Sequence, residues 1–379
     1  MRRIRYGMIG GGTGSFIGAV HRAAMRLDDG WDFVCGALSS TPERSKASGA
    51  EAGLPDDRCY GSWQEMLETE SGRDEAERME AVVIVTPNHL HAEPALAALR
   101  AGFHVVCDKP LCTTVEDAEA LRAAARGSGR VFAVTYNYSG YPMVRQARHL
   151  VAAGEIGPVR KVLVEYNQGW LATKLEDTGQ KQASWRVDPK LAGAGALGDI
   201  GTHAEHLVRT ITGLSIDSLC ADVTSFVPGR SIDDDASALL RFKDRGGVRA
   251  KGVLTATQIA AGRLNDLRIR VFGETGGLEW HQEAPNTLSV DALDGPTRVF
   301  HRGDGGLCDE AKAATRLPPG HPEGFYEAFG NVYRGARLAI MGEADPEIGC
   351  PTIDDGVLGV RFIHACLASA NSGGVWTGV

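Results

Sequence analysis

The sequence predicts an α/β protein: a doubly wound parallel sheet at the N-terminus, then an α+β domain on a largely antiparallel, open sheet. Three observations carry that expectation. The first 135 residues alternate short β-branched runs with amphipathic helical patterns, the rhythm of βαβ units. A glycine cluster falls between the first run and the first helix. Beyond residue 154 the pattern changes to longer alternating segments with few helices between them.

Six strands are expected in the first part: Ile4–Ile9, Phe33–Ala37, a weak one at Cys59–Tyr60, Ala81–Val85, His104–Cys107 and Val131–Val134. Helix signals fall between them. Thr41-Pro42 reads as a cap with proline at the first helical position, and Ser62 with Glu65 reads as a capping box. Gly102 ends a helix carrying Ala95, Leu96, Ala98 and Leu99. This rhythm predicts a Rossmann domain with strand order 3-2-1-4-5-6. A helix over Tyr141–Ala153, closed by Gly154, leads to strands at Val159–Gln168, Ser218–Phe226, Ala236–Phe242, Val248–Thr257 and Leu267–Phe272, with one interrupting helix near Thr202–Ile211. Gly303–Gly320 reads as a long exposed loop. Thr352 with Asp355 forms a second capping box, opening an amphipathic helix that runs to about Ala370. The expected domains are 1–137 and 138–379, with the last helix, about 353–370, returning to the first domain.

At 379 residues and 43% hydrophobic content the chain can fill two sizeable cores, and its 48 glycines point to many loops. Forty Lys and Arg against 48 Asp and Glu give a formal charge of -8, so nucleic acid is not an expected partner. The N-terminal apolar run is too short for a signal peptide, and no stretch is long and apolar enough to span a membrane. The eight cysteines form no CxxC pair, which argues against a zinc ribbon or a disulfide framework and for reduced thiols in the cytoplasm.

The segment Gly10-Gly11-Gly12-Thr13-Gly14-Ser15-Phe16-Ile17-Gly18 follows the first strand and opens a helix. Glycine allows close approach of backbone to a pyrophosphate, and the helix N-terminus supplies amide donors, so this position predicts a dinucleotide site. The second strand ends in Leu38-Ser39-Ser40 without the acid that normally accepts the ribose hydroxyls of NAD. Ser39, Ser40 and Arg44 are therefore read as able to surround a 2′-phosphate, giving an NAD(P) site with a lean to NADP; the alternative is that Arg44 only solvates its helix.

Thr86-Pro87-Asn88-His89-Leu90-His91 lies past the carboxyl end of the Ala81–Val85 strand, the side on which doubly wound sheets bind ligands. Thr86, Pro87, Asn88 and His91 are expected near the nicotinamide, and the spacing of His89 and His91 argues against a metal site. Asp108-Lys109-Pro110 follows the next strand at the same edge. Partial burial there would make Lys109 an adjustable donor to an alkoxide. In Gly198-Asp199-Ile200-Gly201-Thr202-His203-Ala204-Glu205-His206, Asp199 and His203 are four apart, which on an α-helix is about 40° and one face. A carboxylate and an imidazole so placed suit proton transfer with a hydroxyl. Asp199 as a plain N-cap, His203 as a core histidine, and a metal site of Asp199, His203 and His206 remain open alternatives.

In this order and spacing, the glycine-rich turn, TPNHLH, DKP and GDIGTHAEH resemble the family of glucose-fructose oxidoreductase, inositol dehydrogenase and the rhizopine-catabolism oxidoreductases, over nearly the whole chain. The resemblance implies a nicotinamide-dependent oxidoreductase acting on a ring carbon of a sugar or cyclitol. It also implies a homo-oligomer, dimer or tetramer, formed through the C-terminal sheet. By motif, Lys109 matches the family's EKP lysine, Asp199 its substrate-binding aspartate and His203 its catalytic histidine. Two departures stand out: Gly10, Gly12, Gly18 and His21 spell the usual G-x-G-x-x-G-x-x-H turn with three extra residues before Gly18, and Asp108 replaces the usual glutamate. Tyr166, Trp170, Trp185 and Arg186 are candidates for lining the sugar site, with core or interface roles as the alternative. The rivals are a non-catalytic dinucleotide-binding sugar sensor of the same fold and a reductase of an imine or bilin. The Lys, Asp and His set favours a hydroxyl substrate.

Overall fold

The computed structural model describes residues 2–379. The chain divides into two compact units, Met1–Asn137 with Phe325–Val357, and Tyr138–Gly324 with Leu358–Val379. Residues 325–352, expected in the second domain, group with the first, whereas the last helix, expected to return to the first domain, is divided, with residues from 358 onward in the second unit.

The first unit runs β1 (Ile4–Gly10), α1 (Phe16–Arg26), β2 (Trp31–Ala37), α2 (Pro42–Glu51), α3 (Trp63–Ser71), β3 (Ala81–Val85), α4 (Ala92–Arg100), β4 (His104–Cys107), α5 (Val115–Ser128) and β5 (Phe132–Val134). The strands form a parallel sheet in the order β2-β1-β3-β4-β5. Every residue of β3 is buried, as its unbroken apolar sequence requires of a central strand covered on both faces. The expected strand at Cys59–Tyr60 is not one. Residues Asp56–Arg58 form a 3₁₀ turn, and the following pair makes one parallel bridge, Gly36↔Cys59, to the outer edge of β2. Two residues are too few for a ladder, so the sheet has five strands instead of six, in an otherwise Rossmann order. Ser62 caps α3 by accepting from the Glu65 amide at 3.2 Å, while the Glu65 carboxylate reaches back to the Gly61 amide at 2.8 Å, one residue further out than in the usual box.

The second unit opens with α6 (Pro142–Ala152) and β6 (Val159–Asn167), followed by the short helices α7 (Lys181–Arg186) and α8 (Pro189–Ala192). A π-helical turn, Leu197–Gly201, leads directly into α9 (Thr202–Thr212). Then come β7 (Ile216–Thr224), β8 (Asp235–Phe242), β9 (Lys251–Thr257), β10 (Asp266–Gly273), β11 (Gly276–His281), β12 (Thr287–Ala292), β13 (Arg298–His301) and α10 (Asp309–Ala313). All neighbouring strands of this large sheet are antiparallel except β6 and β9. Helices α6 and α9 cover one face, and β8 alternates strictly between buried and more exposed residues, the pattern of a strand whose other face is open. Strands β11, β12 and β13 were not expected: at four to six residues, with polar residues mixed among the apolar ones, they carry little apolar signal.

The segment Gly303–Gly320 is packed, against expectation. It carries α10, buries Leu307, Ala311 and Ala314, and is pinned by the buried Arg302 guanidinium, which donates to Leu317 O at 2.7 Å and to Glu323 at 2.9 Å.

Helix α11 (Phe325–Ile340) returns to the first unit, where Phe329, Tyr333 and Ala336 join a core with Ile4, Tyr6, Met8, Val20, Met25 and Trp31. Burying each large side chain of that set is worth about 1.5 to 3 kcal/mol. The final helix α12 (Ile353–Asn371) starts with the Thr352 amide donating to Asp355 at 2.7 Å, and β14 (Thr377–Gly378) pairs with β7.

Candidate functional site

In the first unit the carboxyl ends of β1 and β3 lie side by side, Gly10 opposite Val85. The loop after β1 is shaped by close approach. A Cβ on Gly18 would stand 2.4 Å from Gly11 Cα, and one on Gly12 would stand 2.5 Å from Leu38 O, so neither position admits a side chain without movement. The three extra residues thus lengthen the tip of the loop while Gly18 still packs α1 against its base. Ser15 caps α1, accepting from the Gly18 amide at 3.3 Å. Thr13, Gly14 and Phe16 are exposed beside the positive end of α1, where an anion is favoured. Thr13 is tied to α2 through Glu51 at 2.6 Å. At the end of β2, Ser39 is half-buried and Ser40 and Arg44 are exposed.

Thr86 and Pro87 are half-buried and Asn88 is buried. His91 is fully buried, its Nδ1 2.9 Å from Pro110 O and its Nε2 2.8 Å from Thr86 O. Its ring therefore ties the loop after β3 to the loop after β4, with both polar atoms turned inward. His89 is exposed, so these two histidines do not converge.

Asp108 and the half-buried Lys109 follow β4. Asp108 Oδ1 accepts from the Lys109 amide at 2.9 Å and from the Thr135 hydroxyl at 2.7 Å, while Oδ2 stands 3.9 Å from His21 Nε2. Burial pushes this carboxyl up, but His21, Lys109, Thr135 and His91 together outweigh it and hold Asp108 below the usual carboxylate range.

In the second unit Asp199 lies within the π-helical turn and His203 in the first turn of α9. The 40° separation of an uninterrupted α-helix does not carry over to such a turn. Asp233 braces its start: the carboxylate accepts from the Gly195 and Leu197 amides at 2.6 and 2.7 Å. Asp199 is not a plain N-cap. Its Oδ2 accepts from Gln258 Nε2 at 2.9 Å and stands 3.4 Å from Arg186 Nε. Arg186 in turn stacks on Trp185, 4.3 Å from guanidinium carbon to ring centroid, and donates to Gln182 at 2.6 Å.

His203 is buried in a T-shaped contact with Tyr138, with ring centroids 4.7 Å apart. Next to it runs a chain of polar groups. Trp170 Nε1 donates to Gln168 at 3.0 Å, Gln168 donates to Asn265 at 2.8 Å, and the Tyr166 hydroxyl donates to Asn265 at 2.6 Å while standing 2.5 Å from the Tyr138 hydroxyl. Burial raises both tyrosines, so they stay neutral hydroxyls at neutral pH. The structure thus brings Tyr166 and Trp170 into one network near His203, and Arg186 and Trp185 to Asp199. Sequence reasoning missed Gln258, Asn265, Gln168 and Tyr138. Gln258 had one signal, its place just past the end of an expected strand. His206 instead faces Thr210 at 3.3 Å, and among the described residues no three His, Cys, Asp or Glu groups are close enough to share a metal.

Residues 4–136 match the oxidoreductase family with an NAD-binding Rossmann fold, and residues 144–279 match the GFO/IDH/MocA C-terminal domain. The chain belongs to the Gfo/Idh/MocA family. Its N-terminal part is thus an NAD-binding Rossmann domain of an oxidoreductase family. It is 36% identical to the uncharacterized oxidoreductase YfiI of Bacillus subtilis over 98% of this chain and 96% of that one. It is 30% identical to levoglucosan dehydrogenase of Pseudarthrobacter phenanthrenivorans over 76% of each chain. The crystal structure of an inositol dehydrogenase homolog from Azotobacter vinelandii, complexed with NADH and myo-inositol, superposes with a TM-score of 0.91 at 36% identity, covering 100% of this chain and 98% of that one. No helix among the described residues is long and apolar enough to cross a membrane.

Proposed function

We propose that this Gfo/Idh/MocA protein transfers a hydride between a nicotinamide and a ring hydroxyl or keto carbon of a sugar, glycoside or cyclitol. The observation that carries this reading is the engagement of Asp199 by Gln258 and Arg186, beside a wall of neutral hydroxyl and amide groups. A carboxylate held at Oδ2 by two donors is an oriented acceptor for a substrate hydroxyl, and the Tyr166, Asn265 and Gln168 chain offers the mixed donors and acceptors that a polyol needs. That relatives act on levoglucosan and bind myo-inositol supports the same substrate class.

The tight glycine loop and the N-terminus of α1 fit a dinucleotide pyrophosphate. The bound nicotinamide supplies hydride acceptance or donation at its ring C4. In the proposed roles His203 takes the hydroxyl proton, Lys109 stabilises the alkoxide that develops, and Asp199 orients the adjacent hydroxyl. With no acid at the end of β2, the site accepts NADP as well as NAD, Arg44 meeting the 2′-phosphate. Eight free cysteines support a reducing, cytoplasmic setting. The open face of the large sheet, where Leu239 is 50% exposed, supports a dimer or tetramer.

The test is a panel of sugars, cyclitols and their glycosides assayed by nicotinamide absorbance with both cofactors. Turnover of at least one polyol is expected. An inert protein that still binds dinucleotide would point to a sensor.

A further inference from the structure

Buried polar groups without a hydrogen-bond partner are rare, because losing water without replacement costs about 1 to 3 kcal/mol. His21 Nε2 is such an atom. It is fully buried, has no hydrogen-bond partner among the described residues, and faces Asp108 Oδ2 at 3.9 Å. The other ring nitrogen, Nδ1, meets the hydroxyl of Tyr333, a residue of α11 that lies 312 positions away and is itself buried. The His21 ring is further fixed by edge contact with Phe329, with centroids 4.9 Å apart.

The ionised Asp108 carboxylate can only accept, which favours the tautomer of a neutral His21 that carries its proton on Nε2, facing Asp108; Tyr333, a protonated hydroxyl because burial raises it well above its ordinary value, is then the donor to Nδ1. On its other oxygen Asp108 holds the backbone amide of Lys109. Tyr333, His21, Asp108 and Lys109 thus form a line of polar groups from α11 through α1 to the loop after β4.

We propose that His21, oriented by Tyr333, is a positioning residue that backs the Asp108 carboxylate and so fixes the backbone of Lys109. Its meaning for catalysis rests on the reading of Lys109 as the alkoxide donor. The groups facing Asp108 are His21 from α1, His91 ahead of α4, Thr135 after β5 and Lys109 beside it; Arg22 adjoins His21 on α1. Removing His21 leaves a largely buried carboxylate with less support, so it takes a proton at higher pH than in the wild type.

The experiment compares wild type, His21→Phe, which keeps an aromatic ring, and His21→Gln, which restores an N–H donor. In each folded protein the Asp108 carboxyl is titrated by carbon NMR with labelled aspartate, and the acid limb of kcat/KM is measured with NAD and myo-inositol. His21→Phe is expected to raise the Asp108 titration and move the acid limb to higher pH, with kcat/KM down about 10-fold at neutral pH, and His21→Gln is expected to reverse most of both shifts. Tyr333→Phe, which removes only the orienting hydroxyl, is expected to move both in the same direction by less. An unchanged Asp108 titration in folded His21→Phe, or activity lost equally at every pH, would overturn the proposal. The carboxyl titration needs no substrate, so a wild type inert on every polyol would remove the dehydrogenase reading without deciding this one.

Discussion

Gln258 donates its side-chain amide to Asp199 at 2.9 Å, from a buried position just beyond the end of β9. Its backbone is fixed on both sides, the amide donating to Asp234 O at 2.9 Å and the carbonyl accepting from Leu171 at 3.1 Å. The amide group is thus presented to Asp199 by the sheet itself, while Arg186, a further partner, comes from the short helix α7.

Replacing Gln258 with Leu keeps the backbone bonds and removes one hydrogen bond to a charged group. The expected loss in kcat/KM is about 10- to 100-fold, or about 1.4 to 2.7 kcal/mol, carried mainly by KM if Asp199 orients substrate. Dinucleotide affinity should stay as in the wild type, which fluorescence titration checks. Unchanged KM with folding intact would remove Gln258 from the substrate site.

Arg44 tests the cofactor reading. Arg44→Ala should weaken NADP binding by about 1.5 to 3 kcal/mol, one charge-assisted contact, and leave NAD nearly untouched. Equal losses for both dinucleotides, measured by titration, would sink the 2′-phosphate assignment.

For His203 the competing readings are proton acceptor and core histidine, and its burial against Tyr138 makes the comparison sharp. His203→Asn should lower kcat about 10²- to 10⁴-fold with dinucleotide binding retained. A variant with full turnover, or one that fails to fold, would favour the core role.

Much of this was legible in the sequence, and the gaps have physical causes. The strands at Ala81–Val85 and His104–Cys107 are apolar runs bounded by turn signals, so even their ends could be read. The motifs at Lys109, Asp199 and His203 were visible by their chemistry at strand and helix ends, and the roles given to them are proposals. The pair Cys59–Tyr60 looked like a strand because its residues suit one, yet it has room for a single bridge. Strands β11 to β13 and helix α10 were lost because short elements with one wet face resemble loops in composition. The π-helical turn around Asp199 has no sequence period that separates it from an α-helix. Gln258 and Tyr333 are long-range partners, 59 and 312 residues from the side chains they meet, and no local pattern encodes such a pairing.

Lys109 tests the central claim most directly, because the enzyme and sensor readings assign it opposite roles. Lys109→Met keeps a similar length and removes the charge from a half-buried loop residue. With turnover and dinucleotide fluorescence measured on the same wild-type and variant samples, kcat is expected to fall at least about 10²-fold, roughly 2.7 kcal/mol, with dinucleotide still bound. An unchanged kcat in the folded variant would contradict the account.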